Sequence, residues 1–243
     1  MNFPFSLPLL LDGRMTVSAA GKGHCQAQWL CSHPEALEKH LKESLYAGVG
    51  ALCAPTFEAH PLRLREYGLE EQTERINRTL LELTKRFAPE GMPVGGILAP
   101  TGLFLPPDGE AEFEDIYDHY RDQVRALDNA GAEFFLIAQQ DSLADMRAAV
   151  LAVRSTNLPV FVTIRTDKNG RTLSGGSLLP CLITLQAMDV DAIGIQSSLT
   201  PEEMLPLLQE IVPHSSLPVM AIPSPGIPGR GTFLAGGEAF LLV

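Results

Sequence analysis

Seven short apolar runs, separated by stretches of helical periodicity, constrain this sequence more than anything else in it. They are Leu9–Gly13, Val49–Cys53, Val94–Pro100, Glu133–Gln139, Pro159–Arg165, Ala192–Ser197 and Pro218–Ile222. Their bodies are continuously apolar rather than alternating, the pattern of parallel strands covered on both faces. Between them lie helical patterns. Ser32-His33-Pro34-Glu35 reads as a helix start, with Ser32 as cap and Glu35 three residues on. That helix runs to Ala47-Gly48 with Ala36, Leu37, Leu41 and Leu45 on one face. Pro61–Arg86 is helical in two pieces broken near Tyr67-Gly68-Leu69, and Phe113–Ala130, Leu143–Arg154, Ser177–Met188 and Pro201–Ile211 complete the set.

This alternation predicts an α/β fold of the (β/α)8 TIM-barrel type, one domain over residues 1–243. Seven strands are clear, and the barrel reads as shortened at its C-terminal end. About twenty residues follow Ile222, most of them Gly, Pro or small. Ala239–Val243 is either a terse eighth strand reached by a parallel crossover, or the start of a helix that the chain does not finish. A barrel left open would give the first and seventh strands free edges, which invite a partner.

Composition narrows the function classes. A net charge of −11 argues against nucleic acid and anionic membranes as partners. No apolar run approaches the ~18–20 residues of a membrane span. Phe3–Leu11 has no basic residue ahead of it and reads as a first strand rather than a signal peptide. Four cysteines without a dense framework (Cys25, Cys31, Cys53 and Cys181) fit a cytoplasmic protein with reduced thiols.

In such a barrel the strand C-termini form the functional face. Here that face gathers Asp12, Cys53, Thr56, Thr101, Gln139, Thr166, Ser197 and Ser224, and the Gly-rich loop Ala19–Gly23 follows the first strand. Asp12 either grips an amine or caps a turn. Ser197 and Ser198 either bind a carboxylate beside the helix start at Pro201 or close a turn. His24, Cys25, Cys31 and His33 are close in sequence, and Cys25, Cys31 and His33 are an alternative metal set. Their cysteine spacing lies outside the usual structural-zinc range, and the other reading is a polar loop and helix start. Cys53 and Cys181 read as small core residues. His40, His60, His119 and His214 show no ligand spacing, and Glu110–Asp118 is a solvated helix start. No Ser-His-Asp order, P-loop or dinucleotide fingerprint is present.

Six segments in order carry a resemblance: Leu10-Leu11-Asp12-Gly13-Arg14-Met15; Ala47 through Phe57 with Tyr67-Gly68-Leu69; Gly95–Gly102; Gly170-Arg171-Thr172-Leu173-Ser174-Gly175; Gly194-Ile195-Gln196-Ser197-Ser198; and Pro223-Ser224-Pro225-Gly226-Ile227-Pro228. Together they resemble the homocysteine S-methyltransferase family. The resemblance implies a barrel that binds homocysteine through Asp12, Thr56, Gln139, Gln196 and Ser197 and transfers a methyl group to its thiol, giving methionine. It also implies zinc, which removes the thiol proton. The departures fall on that chemistry. Ser197 stands where the family has a zinc cysteine, Ala138-Gln139 where it has Glu-Thr, and Ala54-Pro55 within its Thr-Asn-Thr-Phe; no adjacent cysteine pair occurs. A hydroxyl is a poor replacement for a soft thiolate on zinc.

The expectation is a homocysteine S-methyltransferase-like protein with impaired zinc catalysis and zinc absent, binding a small thiol or amino acid. The alternative is a non-catalytic small-molecule-binding or accessory subunit, with a corrinoid or methyltransferase protein as partner in a corrinoid- or pterin-linked system. A truncated gene that lacks the eighth βα unit is a third reading.

Overall fold

The computed structural model describes residues 5–12 and 23–224 and the backbone of 239–242. Most of the Gly-rich loop, the residues after Asp12 in the first family-like segment, and Pro225–Pro228 lie outside the described residues. Strands β1 (Leu9–Asp12), β2 (Leu52–Ala54), β3 (Val94–Leu98), β4 (Phe135–Gln140), β5 (Val160–Ile164), β6 (Ala192–Gln196), β7 (Val219–Ile222) and β8 (Ala239–Leu242) form one sheet. Helices α1 (Gln26–Ser32) and α2 (Pro34–Tyr46) join β1 to β2, and α3 (Pro61–Arg65) and α4 (Thr73–Phe87) join β2 to β3. Then α5 (Phe113–Asn129), α6 (Leu143–Val153), α7 (Leu178–Gln186) and α8 (Pro201–Ile211) each cross to the next strand.

Pairing from β2 to β7 is parallel throughout, as the continuous apolar runs require. A parallel bridge between Leu11 and Ala51 ties β1 to the β2 end of the sheet. The eighth strand corrects one expectation. It lies between β1 and β7 and runs antiparallel to both, so no parallel crossover leads into it and neither neighbouring edge stays open there. A second correction concerns the first helical region. Gln26–Ser32 is a helix in its own right, so Ser32 ends α1 rather than capping α2; His33 stands at the α2 cap position and makes no side-chain capping bond.

Side-chain alternation sorts the core into two layers. Inside the barrel lie Leu9, Leu11, Ala51, Cys53, Ile97, Phe134, Leu136, Ala138, Phe161, Ala192, Met220 and Ile222. The larger layer fills the space between strands and helices, with Leu52, Leu98, Ile137, Val162 and Ile193 facing Leu80, Val124, Met146, Leu182 and Met204. At the N-terminal end of the interior, Phe5 packs edge-on against Phe134 and Phe161, each at 5.8 Å between ring centroids. Two glycines make room inside. A Cβ on Gly95 would lie 2.4 Å from the Phe134 ring, and one on Gly194 would lie 2.2 Å from the Met220 carbonyl oxygen. Among the described residues no helix is long and apolar enough to cross a membrane.

Candidate functional site at the barrel mouth

Towards the strand C-termini the barrel interior turns from apolar to polar. Thr163 on β5 donates its hydroxyl to Gln196 Oε1 on β6 at 2.8 Å, and Thr163 Oγ1 accepts from the Gln139 backbone N–H at 3.0 Å. Gln139 holds a left-handed φ of 54°, and the β4–β5 register shifts between Ile137 and Gln140. A non-glycine residue at positive φ is strained, and the bulge is what turns its N–H onto Thr163. Gln140 faces outward and meets the hydroxyl of Tyr120 on α5.

One residue further on, Asp141 and Arg165 form a bidentate ion pair. Arg165 Nε donates to Asp141 Oδ1 at 2.5 Å and Nη2 donates to Oδ2. The Arg165 N–H continues the ladder onto the Gln140 carbonyl, so Arg165 shares the inward face of Thr163 two residues earlier. The loop between β5 and α7 closes on this pair, because Ser174 donates both its N–H and its hydroxyl to the Asp141 carbonyl. Asp141, Arg165 and Thr163 were not among the residues singled out from the sequence. The available signal was a charge placed two residues beyond an inward threonine at a strand end.

The sequence-derived residues divide between two environments. Gln139, Gln196 and Ser197 come together at the β4–β6 side of the mouth. Ser197 is half-buried and donates its hydroxyl to the Thr166 carbonyl. Thr166 is itself buried, with no hydrogen-bond partner for Oγ1 among the described residues. Thr56 is fully buried: its hydroxyl exchanges bonds with the N–H and carbonyl of Ile97, and Gln123 donates to its carbonyl, so it clips β2 to β3. Asp12 alternates with the inward Leu11, is 3% exposed and bonds His40 Nε2 on α2 at 3.2 Å. Its charge adds to burial in pushing the Cys53 thiol well above its ordinary value.

The β3 side of the mouth is held by a buried acid. Asp145, in the first turn of α6, accepts from the Thr101 N–H at 3.0 Å and the Thr101 hydroxyl at 2.8 Å. Burial pushes its carboxyl up from 3.8 to about 6, against the opposing pull of those two bonds. Away from the strand ends, a groove of about 780 Å³ runs between α3, the loop after β3 and α5, lined by Arg65, Phe104, Asp115 and His119 among others.

The chemistry of the donor set bears on zinc. Burial pushes Cys31 to about 11, and raises Cys53 and Cys181, which disfavours thiolates at neutral pH. The alternative set of Cys25, Cys31 and His33 does not assemble, because α1 spreads it along a helix. Cys31 Sγ points to the Ile76 carbonyl, and His33 stacks on Trp29 with Nδ1 on the Trp29 carbonyl at 2.9 Å. Among the described residues, no three His, Cys, Asp or Glu side chains are placed to hold a metal ion. The described residues do not fit the thiolate-bound zinc that the family resemblance implies.

Comparison with known proteins places this geometry in context. The family model for homocysteine S-methyltransferase matches residues 9–237. The chain is 27% identical over 212 residues to the methionine synthase of Mycobacterium tuberculosis, covering 82% of this chain and 18% of that protein. It is 26% identical to the methionine synthase of Mycobacterium leprae, with the same coverage of 82% and 18%. The chain therefore spans under a fifth of the length of these relatives. Among solved structures, it superposes on the metallated form of the homocysteine methyltransferase MmuM from Escherichia coli with a TM-score of 0.74 at 20% identity, covering 86% of this chain and 79% of that one. The oxidized form gives a TM-score of 0.75 at 18% identity, with coverage of 85% and 77%. These likenesses establish the barrel fold.

Proposed function

We propose, from the premise that the chain belongs to the homocysteine S-methyltransferase family, that it is a homocysteine S-methyltransferase-like protein of the cytoplasm that binds a small amino-acid or thiol ligand at the barrel mouth but is impaired in zinc-dependent methyl transfer. The observation that carries this reading is Ser197. At the end of β6, where the family resemblance implies a thiolate, its hydroxyl is spent on the Thr166 carbonyl. A hard, protonated oxygen cannot supply what a soft thiolate gives zinc, nor lower the pKa of a bound thiol. The cytoplasmic assignment is supported by four free cysteines.

What remains at the mouth is a binding surface. Gln139, Thr163 and Gln196 form a connected hydrogen-bond chain, and the Arg165–Asp141 pair stands next to it. Such groups orient and retain a polar ligand, which is the positioning half of the family's task. The test combines elemental mass spectrometry of protein purified without chelator with calorimetric titration of homocysteine. The expected result is far less than one zinc per chain, before and after adding zinc with homocysteine, together with homocysteine binding and no methionine formed from an S-methylated donor. About one tightly held zinc per chain together with methionine formation refutes the reading.

A second reading makes the chain a non-catalytic accessory subunit of a corrinoid- or pterin-linked system. It is supported by Ser197 and Ala138, which stand where the family resemblance implies a zinc cysteine and a glutamate. Methyl transfer to homocysteine that appears only when a methylated corrinoid protein is added favours it.

A further inference from the structure

We propose that Arg165 and Gln196 form a carboxylate anchor in the barrel mouth, selective for a small ligand with a single carboxylate. The inference rests on the homocysteine reading for the identity of the ligand but not for the chemistry of the anchor.

The first observation is register. Ile164 pairs with Ile195, so the next positions, Arg165 and Gln196, lie side by side on the barrel-facing side of β5 and β6. Gln140 pairs with Ile164 in the same way, which sets Asp141 on the other flank of Arg165. The mouth thus carries a row of Asp141, Arg165 and Gln196. Neighbouring strands lie ~4.8 Å apart, so adjacent members of the row can meet one carboxylate.

The second observation is unused donors. A guanidinium has five N–H groups. Asp141 takes one from Nε and one from Nη2, and Nη1 has no partner among the described residues. The Arg165 side chain is 45% exposed, so its outer edge is reachable. Gln196 is only 5% exposed. Thr163 Oγ1 already accepts from Gln139, so its own proton goes to Gln196. That fixes Oε1 as the acceptor and leaves the Gln196 Nε2 donors without a partner among the described residues. Two neighbouring donor groups without protein acceptors at the mouth call for a ligand that only accepts.

The third observation is charge. Asp141 fixes the guanidinium plane in advance, so little rotamer freedom is lost on binding. It also makes the pair neutral overall. A neutral pair with a planar fork suits a singly charged, planar acceptor better than a dianionic phosphate.

The test is calorimetric titration of the full chain with L-homocysteine, 3-aminopropane-1-thiol (the same molecule without its carboxylate) and L-2-aminobutyrate (without its thiol). The anchor requires both carboxylates to bind and the decarboxylated thiol to bind at least about 10-fold more weakly. Arg165→Gln should weaken both carboxylates about 10- to 100-fold, the range of a lost charge-assisted contact, and leave the decarboxylated thiol as weak as before. Melting temperature checks the fold. Should Arg165→Gln fail to fold, Arg165→Lys carries the test, since it keeps the charge but loses the fork and should weaken binding several-fold.

Homocysteine binding that is unchanged in folded Arg165→Gln or Arg165→Lys overturns the anchor and leaves the homocysteine reading standing. Arg165-dependent binding of 2-aminobutyrate with no gain from the thiol upholds the anchor and removes homocysteine as the ligand. No binding of either carboxylate to the unaltered chain overturns the anchor.

Discussion

Replacing Asp145 by Asn should stabilise the protein at alkaline pH and flatten its stability between pH 8 and pH 5. Asp145 is 2% exposed, and burial raises its carboxyl from 3.8 to about 6. A carboxyl whose folded value lies above its unfolded value binds its proton more tightly in the folded state. Its favourable contribution is therefore fully present below about 4 and is lost as pH rises through about 6. The difference corresponds to about 3 kcal/mol. Asn removes the ionisation and can still accept the Thr101 N–H. Its second head atom is an amide nitrogen that only donates, so it cannot accept the Thr101 hydroxyl proton at the same time. That mismatch costs about 1 kcal/mol. The net expectation at pH 8 is a gain of about 1–2 kcal/mol, together with a pH 5-to-8 stability difference smaller than in the unaltered chain by about 1.4 kcal/mol, the half of the ~3 kcal/mol that develops above pH 5. Urea unfolding of both proteins at pH 5, 6, 7 and 8 measures this, and the comparison between them cancels every other titrating group. An Asp145→Asn protein that is less stable at pH 8, or that keeps the original pH slope, would refute the reasoning.

Two further outcomes follow from the interior. Gly194→Ala puts a Cβ 2.2 Å from the Met220 carbonyl oxygen, a backbone atom that cannot step aside, so denaturant unfolding should show a loss of about 2 kcal/mol or more. The thiols should be nearly inert to an aromatic disulfide reagent at pH 8 in the folded state, since Cys25, Cys53 and Cys181 are buried and Cys31 is held up at about 11. All four should react once the chain is unfolded, and rapid reaction of Cys53 in the folded state would contradict its place in the barrel.

Strand positions were legible because a strand buried on both faces needs an unbroken apolar run, and β3 to β7 supply one each. Helix α8 was legible to the residue, since Thr200-Pro201-Glu202-Glu203 carries its own capping box. Helix α1 was missed: it is only seven residues long and has no side-chain cap, and the Ser32-to-Glu35 spacing imitated a cap one turn later. The direction of β8 was not legible, because an apolar run has no polarity and only the connection length bears on it. At the mouth, the strand-end rule pointed to Gln139 and Ser197, and the family resemblance pointed to Gln196. It could not find the Asp141–Arg165 pair, which depends on a one-residue bulge at Gln139 that shifts β4 against β5. Nor could it say that Thr56 would be consumed in clipping β2 to β3, because that follows from its backbone neighbours rather than its own type.

The reversed eighth strand changes how readily this part of the molecule can evolve. In a fully parallel barrel the segment after β7 must cross from the mouth to the opposite end, which demands a dozen or more residues and a helix to cover the crossing. Here Ala239, the first residue of β8, is paired beside Asp12, at the same end where β7 finishes with Ile222. Ile222 and Ala239 therefore lie at the same end of the sheet, and no crossing to the opposite end separates β7 from β8. Because both described ends of this stretch lie at the mouth, changes in its length need not alter the strand register, which makes this a tolerant place for related proteins to differ.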